Sequence, residues 1–196
     1  MSRVRLDLAV LKKPAFRSKQ KGSSWEIQIC RLLSMWISEG KRVDVFWRSA
    51  MSGGRATIGL DRGFKHKAQA GDISAIAALG ERLLDHFIIE SKFYKDLQLT
   101  NMVLKENGFL YDFWTDLTTK ATVFDKQPML IGRQNSFPPF VLMNNESMDI
   151  FDLTPAHAAA VLPRLRVNMV LFDVFLREAV IPSEDVYINT TRRARL

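Results

Sequence analysis

The segment HFIIESKFY, residues 86–94, sets Glu90 and Lys92 inside an apolar run that otherwise reads as a buried strand. Side chains two apart on a strand point the same way, so Glu90 and Lys92 share one face and Ser91 turns to the other. A carboxylate and an ammonium taken out of water are costly unless each meets an opposite charge. The run therefore demands a sheet in which something charged comes to that face, and the candidate lies just upstream. DISAIAAL, residues 72–79, reads as a second strand, joined to the first by a polar turn around Gly80–Arg82. An antiparallel return sets the start of one strand opposite the end of the other, which brings Asp72 to Glu90 and Lys92 at one sheet edge.

Two neighbouring carboxylates repel, and only protonation or a cation relieves them. Mg²⁺, a hard ion that prefers oxygen ligands, removes the conflict. Such an ion polarises a phosphodiester and lowers the pKa of bound water, while Lys92 orients that water or balances charge on the attacked phosphate. The plainer alternative is a surface salt bridge at a strand end, and an isolated Glu-Ser-Lys is more often that.

The rest of the chain follows an α/β pattern. Residues 23–39 repeat Trp25, Ile29, Leu32, Leu33 and Trp36 at helical spacing, and Gly40 closes the segment. Residues 41–49 alternate Val43, Val45 and Trp47 with Arg42, Asp44 and Arg48, as a strand does. Residues 50–70 show no apolar period and read as a long loop, a length that in compact domains is functional or disordered. Residues 109–126 form an amphipathic helix whose Phe and Trp residues fall on one face, so they read as core rather than as a platform for stacked bases. Strands follow at 129–134 and 140–144, either side of Pro138–Pro139. Residues 154–162 read as a short helix capped by Thr154, and residues 167–176 as a further strand. The expected fold is α/β, a central mixed β-sheet flanked by helices in the order α-β-β-β-α-β. The expected division is a basic arm at 1–20, a core at 21–145 and a C-terminal extension with a basic tail at 146–196.

A chain of 196 residues suits one domain, or one with an appendage. It buries roughly 70% of its unfolded surface and needs no disulfide or structural metal to fold. Cys30 is its one thiol, read as a core residue in a reducing cytoplasm. No apolar run approaches the roughly 18 residues that span a bilayer. The basic N-terminus lacks a secretory apolar core, and Pro14 with its scattered lysines breaks the amphipathic helix of an organellar leader. The net charge of +7 is concentrated at the ends: residues 1–22 carry seven basic side chains against Asp7, and the tail carries Arg192, Arg193 and Arg195. Such ends are either arms for a polyanion or a solubility device. The loop's Arg55, Arg62, Lys65 and Lys67 against Asp61 are either a flap that grips phosphates, with strong salt dependence, or a solvated loop. His66, His86 and His157 belong to no ligand or catalytic pattern.

KGSSWE opening a helix, a strand ending WRSAMSGG, then GDISAI and FIIESK stand in the order found in the PD-(D/E)XK nuclease superfamily, which this sequence resembles, and most closely in its Holliday-junction resolvase-like branch. The likeness covers about residues 20–96, with looser agreement through 145. It implies a restriction-endonuclease-like core and a catalytic set of Asp72, Glu90 and Lys92, with Glu26 as an added acid. The metal set it implies is Asp72, Glu90, Glu26 and Ser91, holding Mg²⁺, with Mn²⁺ as a substitute. Lys21, Ser23, Arg48 and Ser52 become DNA-backbone contacts, joined by Arg55, Lys65 and Lys67 if the loop is a flap. It further implies a homodimer cutting four-way junctions in DNA. The alternatives are the same chemistry on duplex, flap or DNA ends, in a restriction, repair or phage setting, or an inactive DNA-binding module. Gly71 stands where many members have proline, a departure that affects only the approach to the aspartate. The loop from 53 to 70 is longer than in compact resolvases, which leaves substrate preference open. Ser23 and Glu26 also fit a capping box, with Ser23 capping the helix and Glu26 reaching back to its amide.

Overall fold

The computed structural model describes residues 18–49 and 71–181, with side chains from residue 22 onward. Helix α1 (Ser18–Ile37) buries Trp25, Ile29, Leu32, Leu33 and Trp36 as one stripe. It begins five residues before Ser23, so Ser23 lies inside the helix, and the capping-box reading of Ser23 and Glu26 fails. Strand β1 (Phe46–Arg48) pairs antiparallel with β2 (Ile73–Ala75) in a two-stranded sheet of their own, Trp47 opposite Ser74.

The expected strand at 72–79 keeps strand form only at Ile73–Ala75, and helix α2 (Ala78–Leu84) takes its last two residues together with the expected turn at Gly80–Arg82. The hairpin between residues 72–79 and 86–94 therefore does not exist. Ala, Leu, Glu and Arg favour a helix here, and Gly80 serves close packing rather than a turn. A Cβ on it would lie 2.9 Å from the Phe46 ring and 3.0 Å from Ala75 and Val45.

Strand β3 (Phe87–Tyr94) leads through α3 (Leu99–Lys105) and α4 (Phe109–Val123) to β4 (Gln127–Gln134), its parallel neighbour. Strand β5 (Phe140–Asn144) and helix α5 (Asn145–Ile150) follow. The segment 154–162, expected to be helical, has only a 3-10 turn at Pro155–His157 before it becomes β6 (Ala158–Leu162). Pairing along the sheet outweighs the helix propensity of its alanines. Strand β7 (Val167–Leu171) stops short of the expected 176, and α6 (Phe172–Glu178) takes over.

The main sheet runs β3-β4-β5-β7-β6, parallel at its first pair and antiparallel thereafter. It is the mixed sheet flanked by helices that the sequence led us to expect, consistent with a restriction-endonuclease-like fold. Residues after 145 continue this sheet through β6 and β7. One face packs Phe87, Ile89, Met129 and Val141 against α1 and α6. The other packs Ile88, Leu130 and Leu142 against Leu110, Trp114 and Leu117 of α4. Because β3 is an edge strand, its outer side is open to whatever the β1–β2 pair brings. Among the described residues, no helix is long and apolar enough to cross a membrane.

Candidate active site

Asp72 reaches β3 across that open edge. Its N–H donates to the Ile89 carbonyl at 2.9 Å, and its own carbonyl accepts from the Ser49 N–H at 2.8 Å. Its Oδ2 accepts from the Ser91 N–H at 2.9 Å. The carboxylate thus takes an edge amide that a further strand would otherwise have taken. Gly71 makes the approach possible, since a Cβ there would stand 2.5 Å from the Ile89 carbonyl oxygen. What the sequence left as a small departure from a proline pattern is a steric requirement of this chain.

Glu90 and Lys92 share the α4 face of β3, as strand alternation requires. Lys92 Nζ lies 3.0 Å from Glu90 Oε2 and 3.9 Å from Asp72 Oδ2, so it stands toward both carboxylates at once. The Phe113 ring of α4 lies 5.2 Å from the same ammonium. Lys120, also on α4, donates to Glu90 Oε1 at 3.0 Å. Each oxygen of Glu90 therefore has its own ammonium. Lys120 was missed in the sequence, where it sits thirty residues beyond Glu90 with no motif. Its available signal was periodicity: it falls three residues after Leu117 and seven after Phe113, beside the inward stripe.

The electrostatics separate the two carboxyls. Burial holds Asp72 above the ordinary carboxylate range, helped by the charges of Glu90 and Glu26 and opposed by Lys92 and the Ser91 amide. Burial also raises Glu90, but Lys92 and Lys120 outweigh it and leave the group below its usual value. Burial lowers Lys92, and its two carboxylate neighbours more than reverse that. Lys92 is a stable cation at neutral pH, suited to donating hydrogen bonds and charge rather than to taking a proton.

Glu26, on α1, is engaged elsewhere: its Oε2 accepts from Arg48 Nε at 2.7 Å. Among the described residues, no three His, Cys, Asp or Glu side chains gather as a metal-holding group. The structure thus brings Asp72, Glu90 and Lys92 together and sets Glu26 beside them, tied to Arg48. Ser91 turns to the α1 side of the sheet, buried, and among the described residues its hydroxyl has no hydrogen-bond partner. Arg133 lies on that side too, its guanidinium 5.1 Å from the Trp25 ring and 5.0 Å from that of Phe93. The Lys21 side chain, Ser52, Arg55, His66, Lys65 and Lys67 lie outside the described residues.

A mixed sheet whose edge strand carries Glu-x-Lys, met at that edge by an aspartate one residue before the preceding strand, defines the PD-(D/E)XK class. The model of the family described as phage putative PDDEXK endonuclease matches residues 17–174. The chain belongs to that family, and membership implies an endonuclease whose substrate is DNA. No curated protein and no solved structure matches the chain.

Proposed function

We propose that the chain hydrolyses phosphodiesters of DNA with a divalent metal ion held by Asp72 and Glu90. The observation that carries this reading is the single ammonium of Lys92, 3.0 Å from one of these carboxylates and 3.9 Å from the other. A cation already sits where two half-buried acids face each other, and their hard oxygen donors fit Mg²⁺ or Mn²⁺. Two protein carboxylates are also few enough to suit an ion that keeps several of its waters. When bound, such an ion supplies Lewis-acid polarisation of the phosphate and a more acidic water.

The chain's own residues supply the rest. Asp72 and Glu90 would hold the ion, with the Ser91 backbone, not its hydroxyl, beside them and Glu26 adding negative charge. Lys92 donates to the attacking water or to the phosphate oxygen that gains charge in the transition state. Arg48, next to the site, grips the DNA backbone, and Lys21, Ser23, Ser52, Arg55, Lys65 and Lys67 extend that grip. By resemblance, the substrate is branched DNA and the working unit a homodimer, since a four-way junction needs two symmetric cuts and two-fold pairing is the commonest assembly.

A gel assay with Mg²⁺, on a four-way junction beside a linear duplex of the same sequence, tests both levels. Paired cuts in the junction support the resolvase reading. Preference for the duplex, a flap or an end removes that label and leaves the nuclease. If no substrate is cut with Mg²⁺ or Mn²⁺ while DNA is still bound, the chain is a binding module instead.

A further inference from the structure

Lys120 is a second cation on a carboxylate that already has one. Asp72 and Glu90 bring two negative charges, and Lys92 and Lys120 bring two positive ones, so the site balances before any ion arrives. Lys92 stands toward both acids, as part of the motif. Among the described residues, Lys120 pairs with Glu90 alone, and it comes from α4, a different element. Its side chain is 24% exposed and that of Glu90 16%, so both keep some contact with solvent while paired. A lysine is a compact charge on a flexible stem, able to change partners without moving its backbone.

We propose that Lys120 is a substrate-contact residue that trades Glu90 for a phosphate of the bound DNA when the divalent ion loads. The inference rests on the endonuclease reading above and deepens it. A divalent ion against Glu90 repels the neighbouring ammonium and takes over its role as counter-charge. The displaced ammonium, still partly exposed, then finds its partner in the polyanion that approaches the ion. Ion and DNA each favour the state in which Lys120 has left Glu90, so each tightens the other's binding, and by linkage the two effects are equal.

The test titrates Mn²⁺ into the DNA-free protein, with free ion followed by electron paramagnetic resonance, for wild type, Lys120→Met and Lys120→Arg. Removing the competing charge tightens Mn²⁺ about tenfold in Lys120→Met, while Lys120→Arg stays near wild type. A second arm measures the anisotropy of a short fluorescein-labelled DNA duplex with and without Ca²⁺. The factor by which Ca²⁺ tightens DNA shrinks at least threefold in Lys120→Met. Should Lys120→Met not fold, Lys120→Gln carries the same expectations. Unchanged or weaker Mn²⁺ binding in the neutral variant, or an unchanged Ca²⁺ factor, overturns the role of Lys120. If wild type itself binds neither Mn²⁺ nor DNA, it is the endonuclease reading that fails.

Discussion

Asp72 and Glu90 are held on opposite sides of ordinary carboxyl behaviour, and stability should report the difference. Asp72 has a folded pKa above its unfolded one, so its ionised form opposes folding at neutral pH, and the opposition fades as pH falls through the raised value. Glu90 has a folded pKa below its ordinary 4.5, so its contribution is complete above that value and is lost as pH falls through the lowered one. At pH 7, Asp72→Asn is therefore expected to raise the melting temperature. Glu90→Gln should lower stability by about 1–3 kcal/mol, because two ammonium groups lose their counter-charge and one of them meets an amide NH2 where it had an acceptor oxygen. Thermal melts of both variants beside wild type check the signs, and cleavage should be lost in both. Cys30 gives a simpler test. Burial, with Glu26 nearby, pushes its thiol up to about 12. It should resist a thiol reagent at pH 8 in the native protein and react at once when denaturant is added, as the absorbance of the released chromophore would show.

At the scale of the elements, the site depends on how β2 passes the edge of β3. Gly71→Ala drives a methyl into the Ile89 carbonyl. It should cost about 1–3 kcal/mol and lower cleavage further than that loss alone explains, because Asp72 moves with the backbone. Melting curves together with kcat at saturating DNA separate the two effects. The same passage shows what could be read from the sequence. Two-residue alternation puts Glu90 and Lys92 on one face without knowledge of the fold, and the buried acid-base pair called for a third charged partner. Asp72 proved to be that partner by a different route. It reaches β3 through the edge groups of Ile89 and Ser91, not through a hairpin. Alternation says which way a side chain points but not which strand it will meet. That is why α2 and the separate β1–β2 pair were not legible. Lys120 escaped for a related reason: its proximity to Glu90 comes from the crossover that lays α4 over β3, a long-range packing relation.

For the whole molecule, the sheet carries the site at one edge and completes itself far along the chain. Strand β7 lies between β5 and β6, and Phe172 and Phe175 of α6 share a core with Trp25 and Trp36 of α1. A chain ending at residue 145 would expose β5 and remove those aromatics, so it should show no cooperative thermal transition by circular dichroism. The resemblance read from the sequence ended near 145 and concealed this dependence, since alanine-rich β6 and the strand-to-helix bend at Leu171 carry little periodicity of their own. We propose that this sheet edge holds a divalent ion between an aspartate and a glutamate from separate elements. The most direct measurement is anomalous diffraction from a crystal soaked in Mn²⁺. One strong peak is expected about 2.1 Å from a carboxylate oxygen of Asp72 and one of Glu90, with Lys92 drawn back from between them. A fully soaked crystal with Lys92 still bridging the two acids and no peak between them would contradict it.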